Sequence, residues 1–465
     1  VSSIWRKKEL VLSTASKGVA LKKELGLFDL VLLALGSAIG VGIFVLTGRA
    51  SVLAGPSVSI SLLIAGLACA LSGLAYAEFA SLVPRAGSVY TYAYVTLGEL
   101  FAWILGWNLA LNYAVQVGTV AAGWSCYLQD FMQMAFNLKL PNFVAAAPGT
   151  NSGSFFNLPV FLLCLLLTLL LARGIKESKL INNVIVLVKV GILMLFIIVG
   201  GLCYINFDNW QPFFSVKGWP GLFSASAFLF LAYVGFEDVA AAVEEAKNPQ
   251  RDVPRALFIS LGIITLLYVL MALVMTGILP VSELTKNPDN PLALIITHTN
   301  RLWGAVLYAG LLVGIPTGVL ASLYGLTRLV FSMARDGLLP AKLGELHNKY
   351  KTPFKGTWFV GLLVGILGSL TPLKNLADLT DLSALVAFSF VSLSVWLLRV
   401  REPNLVRPFR MPGLPWLPIL SLIINGYLMF SLEEGALAWL IFVCWAVIGL
   451  AVYFSYAKKN SVLNR

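Results

Sequence analysis

The chain has 465 residues, 58% of them hydrophobic and only 12% charged, with a mean hydropathy of +0.85. A soluble protein carries about 25% charged residues, so this composition excludes an ordinary soluble chain, and it excludes disordered and disulfide-scaffold classes as well. The net charge of +11 would point to nucleic acid in a soluble protein; in a polytopic membrane protein it reads as basic loops gathered on one side, and no nucleic-acid partner is expected.

Val1–Gly26 is basic and polar, without the apolar stretch of a signal peptide. It reads as a cytoplasmic N-terminal segment whose Arg6, Lys7 and Lys8 suit the anionic inner face of a membrane. A helix needs about 20 predominantly apolar residues to cross a bilayer. On that scale the sequence predicts an all-α polytopic membrane protein with 12 transmembrane helices. They lie at 27–48, 57–80, 99–129, 158–173, 182–206, 220–243, 255–279, 301–334, 357–372, 377–398, 415–432 and 436–456. The third and eighth exceed a single crossing and are expected to tilt or project. The chain then divides into 1–26, a first five-helix unit at 27–206, a second at 207–398, and helices 11 and 12 with a cytoplasmic tail at 399–465.

With the N-terminus inside, 26 of the 33 Lys and Arg fall on inner segments, 6 on outer ones, and Lys189 lies within a span. That asymmetry predicts a multi-pass protein of the cell membrane with both termini cytoplasmic. The five cysteines, Cys69, Cys126, Cys164, Cys203 and Cys444, stand singly, so neither a zinc nor a redox motif is present. The only histidines, His298 and His347, fall in predicted loops on opposite sides. An enzyme needs converging nucleophiles, bases or ligands, and none is legible; no cofactor and no metal are expected.

Function is expected among the helices. The first span contains Gly36-Ser37-Ala38-Ile39-Gly40-Val41-Gly42-Ile43. Glycine weakens a helix by about 1 kcal/mol relative to Ala, so three in seven residues mark either a break or, through the Gly36/Gly40 pair, a close helix crossing. The sixth span contains Phe230-Leu231-Ala232-Tyr233-Val234-Gly235-Phe236-Glu237-Asp238. Carboxylates at such depth are costly and face protein or water, unless they reach the interface. The two interrupted spans are five apart. Because five is odd, a repeat at that spacing has inverted topology, the pattern of secondary transporters with a site between paired broken helices.

Free N–H groups at Val41, Gly42 and Ile43, at the start of a half-helix, suit a carboxylate. Free carbonyls near Phe230, Leu231 and Val234 suit an ammonium. Together they fit a zwitterion such as an α-amino acid, whereas a sugar or a simple ion does not need both. Lys189 lies seven positions after Asn182, about 11 Å along a helix. Either its stem reaches the interface, or its ammonium faces the broken first helix and takes up and releases a proton during the cycle.

Gly40-Val41-Gly42, Gly235-Phe236-Glu237, Asn248-Pro249-x-Arg251 with Pro254, and Arg335-Asp336-Gly337-Leu338-Leu339-Pro340 resemble the amino acid–polyamine–organocation (APC) superfamily. Within it the chain is similar to bacterial members of the cationic amino acid transporter family. The resemblance covers nearly the whole chain. It implies the 5+5 inverted-repeat, LeuT-like fold, with helices 11 and 12 peripheral. It also implies carboxylate contacts at Val41, Gly42 and Ile43, and amino-group contacts around Ile39, Phe230, Leu231, Ala232 and Val234. The side-chain pocket would be bordered near Ala321 or Ser322, and Lys189 would couple to protons.

The chain departs from the pattern in the third span, where Asn108 and Asn112 stand in place of acids. The loss of negative charge favours neutral over cationic L-amino acids, with Asn112 and Glu237 as accessory or gating groups. The expected partners are an L-amino acid, a proton and the lipid bilayer, with any small membrane subunit left open. The expected activity is proton-coupled import by alternating access. A cationic amino acid transporter, an exchanger and an amino acid sensor are the competing readings.

Overall fold

The computed structural model describes residues 23–40, 42–82, 89–150, 152–215, 217–286, 291–299, 301–430 and 435–464. Among them no strand forms, and the one extended pairing is a parallel bridge between Leu25 and Ala246. The main helices are α1 (Leu27–Ala38), α2 (Gly42–Ala54), α3 (Val58–Leu82), α4 (Val89–Thr96), α5 (Glu99–Phe136), α6 (Leu158–Arg173), α7 (Ile175–Cys203) and α8 (Gly218–Leu229). They continue with α9 (Pro249–Ile278), α10 (Arg301–Gly314), α11 (Pro316–Arg335), α12 (Phe354–Leu370), α13 (Leu373–Arg401), α14 (Trp416–Phe430) and α15 (Gly435–Val452).

Each apolar run read from the sequence carries helix. Among the described residues, seven helical stretches suffice by length and apolar content to cross a membrane, and four more apolar helices are shorter. One of the seven, Leu46–Leu82, is bent by the Gly55–Ser57 turn, where Gly55 adopts φ +66°. The radial distribution is that of a membrane protein. Large apolar side chains such as Leu166, Leu202 and Leu440 point outward, while Glu78, Glu99, Lys189 and Arg328 are buried. Lipid satisfies apolar surface, so polar groups retreat inside and must find partners there.

Helix boundaries follow from local chemistry. Pro249 opens α9 at a position that needs no N–H donor, and the Asn157 side chain caps α6 by accepting from Val160 N. The eighth span is one apolar helical stretch, Trp303–Arg335, interrupted at Ile315: α10 ends at Gly314 and α11 begins at Pro316, because a proline cannot supply the next helical hydrogen bond. His298 ends a short helix, Pro291–His298, instead of lying in a loop, and faces Glu283 at 3.2 Å.

α5 forms the hub, packing along α11, α12 and α13, while α3 runs along α9. Asn108 and Asn112 belong to the α5–α13 contact: Asn108 donates to Ser383 O (2.9 Å), and Asn112 to Thr380 O (3.1 Å) and Ser383 Oγ (3.0 Å). Arg328 of α11 pairs with Glu245 at 2.5 Å with both side chains nearly inaccessible. Arg328→Met should therefore lower unfolding stability by about 3–5 kcal/mol, because Glu245 would be left as an uncompensated buried charge. Unfolding of the detergent-solubilised protein measures this. Pairing the substitution with Glu245→Leu should recover most of the loss.

Candidate functional site

Both spans singled out for their glycines and acids are broken, and the breaks face each other. α1 stops at Ala38, Ile39 is extended (φ −76°, ψ 91°), and α2 resumes at Gly42; Val41 lies outside the described residues. In the sixth span α8 gives way after Leu229 to a 3-10 turn, Phe230–Tyr233. Gly235 then takes a left-handed conformation (φ +113°, ψ −18°), and a second 3-10 segment runs from Phe236 to Glu245.

Glycine is required at the crossing. A Cβ on Gly235 would lie 2.7 Å from Ser37 Oγ and 3.1 Å from Ala38 N. At Gly42 the limit is softer: a Cβ would lie 3.0 Å from Leu46 Cδ1 and, in ordinary contact, 3.9 Å from Ala232 Cα. Ser37 also hydrogen-bonds to the Asp238 carboxylate, so each broken helix is tied to the other by both backbone approach and side chain.

A helix end strands carbonyl groups, and three side chains collect those of α1. Lys189 of α7 donates to Gly36 O (3.0 Å) and Ile39 O (2.5 Å), with Thr317 Oγ1 at 2.8 Å. Thr317, in the first turn of α11, lies within hydrogen-bonding distance of Gly36 O (3.1 Å) and Gly314 O (2.7 Å). The Tyr268 hydroxyl of α9 reaches Ala38 O (2.7 Å) and Ala232 O (2.9 Å), bridging the two breaks. A cation at the C-terminal end of α1 complements its dipole, and the buried ammonium is satisfied without a carboxylate partner in direct contact.

The remaining residues singled out from sequence take distinct places. Gly42 and Ile43 start α2, whose first N–H groups have no intrahelical acceptor. Phe230 is buried and meets Phe388 of α13 edge-on at 5.8 Å; Leu231 and Ala232 share its turn and Val234 follows it. The Ile39 carbonyl, expected to face an amino group, is held by Lys189. Glu237 accepts from Gly235 N (2.9 Å) and so caps its own segment. Ser322, buried in α11, donates to Gly318 O (3.0 Å). Asn112 stands at the α5–α13 contact. Tyr268, Thr317 and Ser37 went unrecognised in the sequence; a tyrosine at mid-span was the available signal, since its hydroxyl needs a partner there.

All five cysteines are free, and no group of His, Cys, Asp and Glu among the described residues could hold a metal ion. A family model described as amino acid permease matches residues 25–462. The branched-chain amino acid permease BcaP of Bacillus subtilis (strain 168) is 44% identical over 468 residues, spanning 100% of this chain and 99% of its own. The methylthioribose transporter of the same organism is 44% identical over 467 residues and spans 100% of both chains. The vacuolar cationic amino acid transporter 4 of Arabidopsis thaliana is 36% identical over 391 residues, covering 83% of this chain and 64% of that protein.

Proposed function

Because this chain belongs to the amino acid permease family, we propose that it imports neutral, aliphatic L-amino acids by proton symport with alternating access. The observation that carries the reading is the crossing of two broken helices at which α1's carbonyls are already taken by Lys189 and Tyr268, while α2 restarts at Gly42, where the first N–H groups of a helix have no intrahelical acceptor. A carboxylate fits those donors, and the carbonyls of the Phe230–Tyr233 turn offer acceptors to an ammonium. Helices 1–5 and 6–10 act as two inverted repeats, both termini are cytoplasmic, and the protein works in the cell membrane.

A neutral side chain is favoured over a cationic one. The third span offers amides instead of acids, and those amides are engaged with α13. Glu237 and Asp238 are tied to Gly235 and Ser37. The likeness to the branched-chain amino acid permease BcaP supports small aliphatic substrates. Equal likeness to a methylthioribose transporter makes that thioether sugar the competing ligand, one with no charges for the two half-helices to grip.

A thermal-shift panel of the twenty amino acids and methylthioribose on purified protein separates the readings, since ligands stabilise by mass action. Leucine, isoleucine and valine should give the largest shifts; a response to methylthioribose alone would overturn the zwitterion site. Uptake of the binder into liposomes against its gradient distinguishes a transporter from a sensor, which binds without flux. Gly42→Leu fills the approach to Ala232 and should weaken binding by at least about tenfold, seen as loss of the thermal shift. Undiminished binding in that variant would mean the first-span glycines serve packing alone.

A further inference from the structure

Between α9 and α10 the chain forms two short helices, Val281–Leu284 and Pro291–His298. Both pack on α2, the half-helix that leads away from the first break, and the second also meets α9 and α10. Leu284, Leu292 and Ile295 are fully buried, so apolar contact seats this pair of helices. A polar contact joins them at their half-exposed edge, His298 Nε2 to Glu283 Oε2 at 3.2 Å.

The other ring nitrogen, His298 Nδ1, lies 3.2 Å from Leu294 O. A carboxylate and a carbonyl only accept, and a neutral imidazole has one N–H to give. In either neutral tautomer a nitrogen lone pair would therefore confront an oxygen, whereas the imidazolium donates to both. Its charge also sits in the last turn of its helix, where the dipole favours a cation. Histidine changes charge between about pH 5 and 8, so both contacts are complete in acid and one is lost as pH rises. The elements packed around the ring carry Arg49 on α2, Lys286 just after the Glu283 helix, and Arg301 and Tyr308 on α10. α9 carries no titratable group beyond Tyr268, which is engaged at the breaks, and Asp289 lies outside the described residues. Glu283 is the carboxylate that touches the ring.

We propose that the Glu283–His298 pair is a proton-binding site on the outer face of the protein, and that a proton bound there holds the two short helices down on α2. The outward placement rests on the reading of both termini as cytoplasmic; the chemistry of the pair is independent of Lys189. α2 also begins with the N–H groups assigned to the substrate carboxylate, so the half-helix that grips substrate is the one on which the short helices are seated. The imidazole nitrogen takes its proton from bulk water, forming one N–H bond, and returns it to water in base; no other bond changes. An exposed ion pair shifts a two-state equilibrium by up to about fivefold. The pair therefore modulates outward opening and leaves coupling to the gradient with the membrane-buried site.

Hydrogen exchange of the full-length protein in detergent, corrected for the intrinsic pH dependence of amide exchange, reads the seating directly. Amides of the two short helices should be up to about fivefold better protected at about pH 5.5 than at about pH 8.5. His298→Arg keeps a positive donor at every pH and should hold the acid-state protection throughout. His298→Gln should show the base-state protection throughout, and Glu283→Gln should flatten the profile too. A parent profile without a step overturns the site, as does a step that survives in His298→Gln and Glu283→Gln or vanishes in Lys189→Met. In liposomes at equal pH on both sides, leucine counterflow by the parent should be slower than by His298→Gln in acid, by up to about fivefold, and equal to it in base. Equal rates at both pH values would overturn the link to opening. Ser282→Cys tests the placement separately: a membrane-impermeant maleimide should label it in intact cells. Labelling confined to broken cells overturns the outward placement and the topology with it, whereas a flat exchange profile in protein that labels from outside overturns the proton site alone.

Discussion

Lys189→Met is expected to abolish accumulation driven by an inward proton gradient, at every sodium concentration. Methionine keeps the length of the stem, which packs against Gly314: a Cβ there would lie 2.7 Å from Lys189 Cγ and Cδ. The substitution thus removes the ammonium and little else. Gly36 O and Ile39 O then lose a charged donor at 3.0 and 2.5 Å, and Thr317 reaches only the first of them, at 3.1 Å. A hydrogen bond to a charged group is worth about 1.5–3 kcal/mol, so the broken conformation of α1 should lose roughly one to two orders of magnitude in population, with substrate affinity following it. The proton carrier disappears at the same time. Two measurements decide the matter: uptake against imposed pH and sodium gradients, and ligand-induced thermal shift. Uptake that follows sodium, or a methionine variant that responds to pH as the parent does, removes the coupling role of Lys189.

How much of this site is legible in the sequence depends on whether a residue's cost is visible locally. Lys189, Glu237 and Asp238 stand out because charge in an apolar run is expensive wherever its partner lies. Gly40, Gly42 and Gly235 stand out because glycine is unfavourable in a helix with no compensating contact in view. The partners are another matter. Tyr268 reaches a carbonyl 230 residues away, and Thr317 one 281 residues away. Serine, threonine and tyrosine are ordinary in membrane helices, so nothing at their own positions declares such a bond. Asn112 shows the converse: its departure from the family pattern is legible, whereas its engagement with Thr380 and Ser383 depends on the α5–α13 packing. The division of the eighth span is signalled by Pro316, a cue outweighed by the continuous apolar run around it. Its value is clear only in space, where it sets Thr317 at the start of a helix facing both Lys189 and Gly36.

Gly235→Ala, a single added methyl, should cost more than any comparable change on the helix surfaces. The backbone at φ +113° charges an L-residue about 1–3 kcal/mol. The new Cβ would also meet Ser37 Oγ at 2.7 Å and, at 3.1 Å, the backbone atoms Ala38 N and Ser37 C, which are not free to swing aside. The sixth span must then retreat from the first. That retreat stretches the Tyr268 bridge, whose hydroxyl lies 2.7 Å from Ala38 O and 2.9 Å from Ala232 O and shares its one hydrogen between them, and it strains the Ser37–Asp238 contact. The expected result is a stability loss of about 2–4 kcal/mol together with loss of the ligand-induced thermal shift and of uptake. Gly262→Ala in α9, where nothing lies within 4 Å of the added carbon, serves as the reference and should be neutral or stabilising by about 0.4–1 kcal/mol. Lowered stability with full binding and transport in Gly235→Ala would mean that the close approach of the two breaks matters for folding alone. Loss of ligand response in protein that is still folded would instead tie substrate binding to the distance between them.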